Sequence, residues 1–292
     1  MLRLTFDGAG LSRPGHASTR QVNAWADDSG EVFARAFAAD DARWIDWKGL
    51  GTFHFNDATR DVHVSPATGS SPDVIQRMFD RVVQPVILQT KGWQALHASA
   101  VSGPHGALIF CGQGRSGKST LAYALGQQPG FRQLSDDAVV IRASTAAVQL
   151  CPLPFQPSLR RASAEFFRTS PHGQAHTGWT ESPTPPLPVH AVFVLAQDAS
   201  APTRPIVERV APAEAFSVLL THAHCFDESD AAATRQMVQA YLLVADAVRV
   251  HRVTYRPDFA HLSELLACVS GDSLLPTDTQ LRHAAGALYV PQ

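Results

Sequence analysis

The sequence predicts an α/β (α+β) fold in which a small β-rich unit, residues 1–90, precedes a larger domain, residues 91–292, built on a mixed sheet. Two observations lead to this prediction. Residues 1–70 contain short runs in which apolar and polar side chains alternate, and a helical pattern follows them. After residue 91, apolar runs of strand length are interleaved with helical patterns, which is typical of a sheet with helices packed on it.

The composition indicates a globular chain with no general affinity for polyanions. Its 292 residues are 45% apolar and 17% charged, which is enough apolar material for a sizeable core. A net charge of −2 favours neither a nucleic-acid partner nor binding to a membrane surface. No apolar run reaches bilayer length, and the opening residues do not have the pattern expected of a secretion signal. Four scattered cysteines without a CxxC pair indicate free thiols. We therefore expect a cytoplasmic protein.

A hairpin and a helix are the clearest elements of the N-terminal unit. In GTFHFNDATRDVHVSP two alternating runs flank Asn56-Asp57, which predicts the hairpin. Ser71 can cap a helix, and Pro72 fits its first position. Apolar side chains then recur at helical spacing, at Ile75, Met78, Phe79, Val82, Val83 and Val86. Pro85 is expected to kink or end this helix near its last turn.

The larger domain shows alternating strand and helix patterns. ALHASAV and ALIFC predict two strands joined by the turn SGPHG, and a helix follows from residue 118 to about residue 128. LSDDAVVIR, HAVFVLAQ and RVHRVTYR predict further strands, and PAEAFSVLLTHAH, AATRQMVQAYLLVADAV and DFAHLSELLACV predict helices. Residues 152–188, rich in Pro and His, predict loops with one short helix near residues 162–167.

One motif matches the phosphate-binding pattern G-x4-G-K-[S/T] between a predicted strand and a predicted helix. Glycines let successive backbone N–H groups point at a phosphate, and the helix N-terminus adds positive potential. Lys118 would bridge the β- and γ-phosphates, and the Ser119 hydroxyl would bind Mg²⁺, so ATP and Mg²⁺ are the predicted cofactors. The alternative is an ordinary Gly-rich turn. The residues of the motif are Gly112, Gln113, Gly114, Arg115, Ser116, Gly117, Lys118, Ser119 and Thr120.

Two acids and a histidine near this motif could act on a phosphate. Adjacent carboxylates such as Asp136 and Asp137 can hold Mg²⁺ and accept a proton from an attacking hydroxyl, whereas a solvated turn is the alternative. We expect His97 on a strand antiparallel to the one that leads into the loop, where its imidazole could stabilise the transferring group. The alternative for His97 is a hydrogen-bonded core residue.

Other polar clusters are expected to be structural. Asp198 and Asp246 each follow an apolar run, as an Asp of a second nucleotide-binding motif would, but surface positions fit both better. The cluster of His222, His224 and Cys225 could suggest zinc, yet alternate residues on a helix point apart and a third ligand to complete the site cannot be placed. The Asp27-Asp28 pair fits a solvated turn.

Taken together, His97, GQGRSGKST and LSDDAVVI resemble the catalytic domain of HPr kinase/phosphorylase. They resemble still more closely the HPr-kinase-related proteins of bacterial gene clusters, which include the peptide serine kinases of lasso-peptide pathways. The likeness extends over about residues 50–265 and is strongest over 96–141. It implies a P-loop core with a mixed sheet of the HPr kinase C-terminal type, and it leaves a homo-oligomer open.

The resemblance also implies roles for the matching residues. Lys118 takes the phosphate position and Ser119 the Mg²⁺ position. Asp136 is implied as the catalytic base and Asp137 as a metal-shell residue, while His97 is implied to lie near the transferred phosphate. The chain lacks the Arg-containing loop associated with phosphorolysis, although Arg160-Arg161 could contact an anion. Neither phosphorolysis nor HPr itself as acceptor is therefore expected.

The predicted function is ATP-dependent phosphoryl transfer to a hydroxyl, in particular that of a Ser in a peptide or small protein. Two alternatives remain open from the sequence. One is a kinase for the hydroxyl of a small molecule, such as a free amino acid or a sugar. The other is a nucleotide-binding regulator or slow ATPase without an acceptor.

Overall fold

A computed structural model of the chain describes residues 1–7, 19–27, 29–40, 42–169 and 185–271. Six strands among these residues form a first sheet, in the spatial order β1-β6-β5-β4-β3-β2. Strand β1 is parallel to β6, and the other neighbours are antiparallel. The antiparallel pairing of β5 with β6 confirms the predicted hairpin. The strands are β1 Arg3–Phe6, β2 Arg20–Ala26, β3 Val32–Ala39, β4 Ala42–Trp47, β5 Gly51–Asn56 and β6 Asp61–Pro66.

The predicted helix after Ser71 is confirmed, but its course differs from the expectation. Helix α1, Pro72–Met78, is capped by the Ser71 hydroxyl, which accepts from the Val74 N–H. A π-helical turn, Phe79–Val83, follows it directly and leads into α2, Gln84–Gln89. Pro85 therefore does not end the helix, which continues to Gln89, but the regular α-helical winding is interrupted by the π-helical turn directly before it. Pro85 has no N–H to donate to the preceding turn, and it lies where the π-helical turn passes into α2.

Nine strands in the described part of the chain form a second sheet, which is mixed as predicted. Its central path is β10-β8-β9-β13-β12-β11-β7, and β15 pairs with β13 and β14. Strands β9, β13 and β15 are parallel to one another, and the remaining pairs are antiparallel. The strands are β7 Gln94–Leu96, β8 Ser99–Gly103, β9 Gly106–Cys111, β10 Arg132–Ser135, β11 Val139–Ala143, β12 Val148–Cys151, β13 Leu187–Gln197, β14 Ile206–Arg209 and β15 Arg249–Tyr255.

Helices cover both faces of the second sheet. Side chains of α3 and α7 pack on one face, whereas side chains of α5 and α6 pack on the other. The helices are α3 Lys118–Gly126, α4 Arg161–Thr169, α5 Pro212–Leu220, α6 Ala231–Ala247 and α7 Leu262–Ser270, with a 3₁₀ turn over Phe259–His261. Residues 170–184 of the predicted loop region lie outside the described residues. None of the helices in the described part of the chain has the length and apolar character needed to cross a membrane.

Two predicted strands are each divided in two, and the breaks lie side by side. ALHASAV is interrupted at His97-Ala98, so that β7 pairs with β11 while β8 pairs with β9 and β10. LSDDAVVIR is interrupted at residues 136–138, between β10 and β11. His97 is therefore not inside a strand, as the sequence suggested, but lies where the chain changes pairing partner. This change brings His97 next to the acid pair.

The first sheet shares a hydrophobic core with part of the second. Phe53 and Val64 of the first sheet pack in one cluster with Ile75, Phe79 and Val83 of the helical segment. The same cluster contains Val140, Leu153 and Phe226 from later in the chain. The helical segment 72–89 is thus fixed between the two sheets, which determines what its polar face can reach.

We predict that Asp80→Asn stabilises the protein at neutral pH. Asp80 is only 9% exposed, and burial raises its pKa from 3.8 to about 6 although Gln76 donates to it. A carboxyl whose pKa is raised by folding favours the folded state below pH 3.8, and this contribution is lost as the pH rises through about 6. Asn does not titrate, so the free energy of unfolding at pH 7 should rise by about 1–3 kcal/mol.

Urea denaturation between pH 4 and pH 7 measures this effect. The gain from Asp80→Asn should disappear near pH 4. The matched control is Asp73→Asn, an exposed acid at the start of the same helical segment, which should change stability by less than about 1 kcal/mol. An Asp80→Asn protein that is no more stable than the unchanged protein at pH 7 would show that the charge of Asp80 is solvated.

Candidate functional site

The phosphate-loop motif connects the C-terminal end of β9 to the N-terminus of α3. Its two outer glycines have positive φ angles, +146° at Gly112 and +82° at Gly117. A Cβ atom at Gly112 would lie 2.7 Å from the Leu195 carbonyl oxygen. A Cβ atom at Gly117 would lie 2.4 Å from the Tyr255 hydroxyl, which donates to the Ser116 carbonyl at 2.8 Å. The loop is thus a tight turn held against β13 and β15.

Replacing Gly117 by Ala should destabilise the loop, whereas replacing Gly114 by Ala should not. The left-handed backbone of Gly117 costs an L-residue about 1–2 kcal/mol, and the close approach of Tyr255 adds to this cost. A Cβ at Gly114 meets nothing within 4 Å, so its change should stay within about 0.5 kcal/mol. Urea denaturation of both variants measures the difference, and equal stabilities would show that the turn at Gly117 relaxes freely.

Lys118, the first residue of α3, points back into the loop. Its side chain is only 6% exposed, and its ammonium donates to the carbonyl oxygens of Gly112 at 2.8 Å and Gln113 at 3.0 Å. Burial lowers the pKa of Lys118, and Arg160 lowers it further, while Asp136 and Asp137 act in the opposite direction. The cation is therefore held inside the loop, near both acids.

Asp136 is the most buried acid of the site, with 3% of its surface exposed. One carboxylate oxygen accepts from the Ser99 hydroxyl at 2.9 Å, and the other accepts from the Ser158 N–H at 2.9 Å. The Ser119 hydroxyl also bonds to this carboxylate. Burial and the neighbouring Asp137 raise the pKa of Asp136, against the effect of these hydrogen bonds. Asp136 thus ties the phosphate loop to the break between β10 and β11.

Asp137 differs from its neighbour because it faces a cavity. Its φ angle is +67°, which Asp and Asn tolerate better than most residues. The carboxylate accepts from the guanidinium of Arg81, which comes from the π-helical turn. The Asp137 carbonyl lies 3.0 Å from Nδ1 of His97. Asp137 therefore joins three segments that are distant in the sequence.

His97 lies at the strand break, close to the charges of Lys118 and Arg81 and to the Asp137 carbonyl. Its pKa is lowered by burial first and then by the charge of Lys118, with a smaller effect from Arg81. These effects favour the neutral form of the imidazole. Its backbone N–H donates to the His222 carbonyl, and its ring meets that of His224 edge-on at 6.2 Å.

The segment His222–His224 follows α5, and the assumption that it is helical is wrong. Helix α5 ends at Leu220 because the next residues bond to the sheet, where Ala223 bridges Leu96 and the His224 N–H donates to the Ala95 carbonyl. Burial lowers the pKa of both histidines, that of His224 to about 4. The described residues hold no cluster of three or more His, Cys, Asp or Glu side chains suited to a metal ion.

Two adjoining cavities open on these residues. The first, of about 470 Å³, extends from Arg81, His97 and Asp137 along the phosphate loop to an apolar end at Phe259 and Leu262. The second, of about 510 Å³, lies between Gly112–Gly114 and Thr221–His224. His97 lines both cavities. A ligand in the first cavity could therefore meet a ligand in the second at this histidine.

The remaining candidates lie away from this centre or at its edge. Arg160 lines the first cavity, whereas Arg161 is an exposed residue at the start of α4. Asp198 accepts from Ser200 in an exposed turn, and Asp246 is exposed near the end of α6. Asp27 accepts from the N–H groups of Ser29 and Glu31 in the expected turn, while Asp28 lies outside the described residues.

Sequence reasoning missed several residues that line or support the site. Arg81, Ser158 and Tyr255 lie 37, 40 and 137 residues from Lys118 along the chain. Arg81 lay on a predicted helix and Tyr255 on a predicted strand, but neither residue type carried a signal for the site. The apolar face of that helix was recognised, but nothing in its spacing showed where its polar face points.

Comparisons with known proteins give little beyond this geometry. No family model matches the chain, and no curated protein matches it. Among solved structures, it is similar to the HPr(Ser) kinase/phosphatase from Coxiella burnetii, with a TM-score of 0.32 and 13% sequence identity. The match covers 65% of this chain and 99% of that one. So distant a likeness assigns no activity, and a functional assignment must come from the residues of the site.

Proposed function

We propose that the protein transfers the γ-phosphate of ATP to a hydroxyl group, in particular that of a Ser in a peptide or small protein. One observation carries this proposal. The phosphate loop with its buried Lys118, the acid Asp137 and His97 line one continuous cavity, and Asp136 lies behind it, bonded to Ser119 of the loop. We further propose that residues 91–292 form the kinase domain and that residues 1–90 form a unit supporting it.

The loop would bind the phosphates of ATP. The N-terminus of α3 and the backbone N–H groups of a Gly-rich turn favour an anion at this position. Lys118 adds a positive charge that is already desolvated, so its attraction to a phosphate is weakly screened. The apolar end of the first cavity, near Phe259 and Leu262, would take the base.

The acids and Ser119 suit Mg²⁺, which prefers oxygen ligands and completes its shell with phosphate oxygens and water. The Ser119 hydroxyl is bonded to Asp136, so oxygen donors already converge at the start of α3. Ser119, together with Asp137 or Asp136, would hold the ion. Bound there, Mg²⁺ would neutralise charge on the phosphates.

We propose that Asp137, rather than Asp136 as the resemblance implied, accepts the proton of the acceptor hydroxyl. Asp137 lines the cavity, whereas Asp136 is buried behind it in bonds to Ser99, Ser119 and Ser158. A base must first reach the proton that it removes. Asp136 would then position Ser119.

In the proposed transfer, the hydroxyl oxygen forms a bond to the γ-phosphorus while the bond from that phosphorus to the bridging β,γ-oxygen breaks. ADP leaves with the electron pair, and Asp137 takes the hydroxyl proton. Neutral His97 would donate or accept a hydrogen bond at the transferring group, because it lies where the two cavities meet. The second cavity would admit the acceptor.

A transfer assay with ATP labelled at the γ-phosphate tests this proposal. Ser-containing peptides, free serine and water are offered as acceptors in parallel, with Mg²⁺ present. Labelled peptide, formed faster than phosphate is released to water, is the expected result. Label on free serine alone would indicate a small-molecule kinase. Phosphate release at one rate with every acceptor would contradict the proposal and indicate an ATPase.

A further inference from the structure

Among the residues of the helical segment 72–89, all of which the structure describes, Arg81 alone lines the first cavity. We propose that Arg81 contacts the γ-phosphate of ATP and stabilises the charge carried by that group during transfer. This inference rests on the proposed function. It would make the helix that packs against the first sheet a contributor to the catalytic site.

The π-helical turn helps to direct Arg81 towards the site. In an uninterrupted α-helix, Arg77 and Arg81 would share one face, because residues four apart are neighbours on its surface. Arg77 is exposed, whereas Arg81 reaches Asp137 across 56 residues of sequence. The π-helical turn begins between the two arginines, and its wider winding changes the direction of the residues that follow.

The backbone that carries Arg81 is fixed. Phe79 and Val83, on either side of it, are each about 1% exposed in the core shared by the two sheets. Asp80 is buried and accepts from Gln76. An arginine held in this way loses little further freedom when it binds a phosphate, which favours tight and specific contact.

The chemistry of the guanidinium allows two partners at once. Nε of Arg81 donates to Asp137, and the planar group carries five N–H donors in all. The remaining donors can bind phosphate oxygens in the same plane, which an ammonium cannot do. Arg81 and His97 both line the first cavity, and the charge of Arg81 contributes to lowering the pKa of His97. Arg81 thus lines the same cavity as Lys118 of the phosphate loop and is bonded to Asp137, the proposed base.

A comparison of two nucleotides, one with and one without a γ-phosphate, distinguishes a contact of Arg81 with that phosphate from a general role of Arg81 in supporting the loop. Isothermal titration calorimetry would measure dissociation constants for ADP and for the β,γ-imido analogue of ATP, both with Mg²⁺. The variants are Arg81→Ala, Arg81→Lys and the matched control Arg77→Ala. For Arg81→Ala we expect binding of the analogue to weaken by about 10- to 100-fold, because a hydrogen-bonded charge is lost. Binding of ADP should change less than about twofold, and Arg77→Ala should change neither.

Arg81→Lys keeps the charge but not the planar fork, so we expect it to weaken analogue binding by an intermediate factor. It also carries the test if Arg81→Ala fails to fold, as judged by thermal denaturation. Equal weakening of ADP and the analogue would overturn the inference and leave Arg81 as a support of the loop. Unchanged binding of both would overturn it as well.

The two proposals fail in different ways. If the unchanged protein transfers phosphate to no acceptor but Arg81→Ala still weakens only the analogue, the contact stands and the kinase assignment fails. If transfer to an acceptor is found but Arg81→Ala binds both nucleotides normally, the assignment stands and the contact does not. An unchanged protein that binds neither nucleotide would overturn both.

Discussion

Replacing Asp137 by Asn is expected to lower the rate of phosphoryl transfer by about 10²- to 10⁴-fold while nucleotide binding changes little. Asn cannot accept the proton of the acceptor hydroxyl. It does tolerate the left-handed backbone found at this position, where φ is +67°, so the break between β10 and β11 should keep its shape. An Ala variant would be less informative, because Ala would remove the base and would also strain the left-handed backbone at this position.

Asp136→Asn is the matched comparison, because it removes the adjacent charge without removing the residue that faces the cavity. Asp136 accepts from Ser99 and bonds to Ser119, so its loss should disturb the proposed Mg²⁺ position. We expect this variant to need more Mg²⁺ for half-maximal transfer and to recover part of its rate as Mg²⁺ is added. Asp137→Asn should not recover in this way.

Initial rates over a series of Mg²⁺ concentrations, at saturating ATP and acceptor, distinguish the two acids. The reverse pattern, with recovery by Asp137→Asn and none by Asp136→Asn, would return the role of base to Asp136. Wild-type rates for both variants would remove the acid pair from the chemistry altogether.

Local signals in the sequence were sufficient for the elements that depend on neighbouring residues. The hairpin of β5 and β6 followed from alternation around a turn, and α1 followed from Ser71 and Pro72. The strand, loop and helix around Gly112–Ser119 followed from the motif and its flanks. In each case the residues that decide the conformation are close together in the chain.

Features that depend on distant partners could not be predicted in the same way. ALHASAV has continuous strand propensity, yet it breaks at His97 because its two halves pair with different strands. Helix α5 stops before His222 because the sheet edge at Ala95 and Leu96 takes the backbone hydrogen bonds of the next residues. The contact between Arg81 and Asp137 depends on the π-helical turn and on the packing of the helical segment between the two sheets.

The roles of the site residues remain predictions. The structure places His97, Lys118 and Asp137 along one cavity, with Asp136 directly behind it. The division of the chain near residue 90 is likewise a proposal. A contribution of Arg81 to the site would mean that residues 91–292 alone lack part of the proposed phosphate-binding surface.

Replacing Lys118 by Met is expected to weaken ATP binding and also to lower the rate of phosphoryl transfer. Met follows a similar path through the loop but brings no charge to the β- and γ-phosphates. Removing one donor that stabilises developing charge costs about 10²- to 10³-fold in rate in other enzymes. The carbonyl oxygens of Gly112 and Gln113 lose a donor as well, which should lower the free energy of unfolding by about 1–3 kcal/mol.

Lys91 provides a matched control, since it is a second lysine that binds backbone carbonyls. Its ammonium donates to the carbonyl oxygens of Asn56, Asp57 and Thr59 at the hairpin turn of the first sheet, and burial lowers its pKa as it does for Lys118. Lys91→Met should therefore destabilise the protein to a similar degree, because the same kind of bond is lost. It should leave nucleotide affinity unchanged, because the hairpin turn does not line the first cavity.

Urea denaturation and calorimetric titration with Mg²⁺-ATP, applied to both variants, separate the two roles of a carbonyl-bound lysine. Similar losses of stability, with a loss of ATP affinity confined to Lys118→Met, would identify Lys118 as a ligand for phosphate. Unchanged ATP affinity in Lys118→Met would show that its ammonium serves only to close the loop, as that of Lys91 serves to hold the hairpin. The proposed phosphate site would then lose its principal cation, and with it the basis for a kinase assignment.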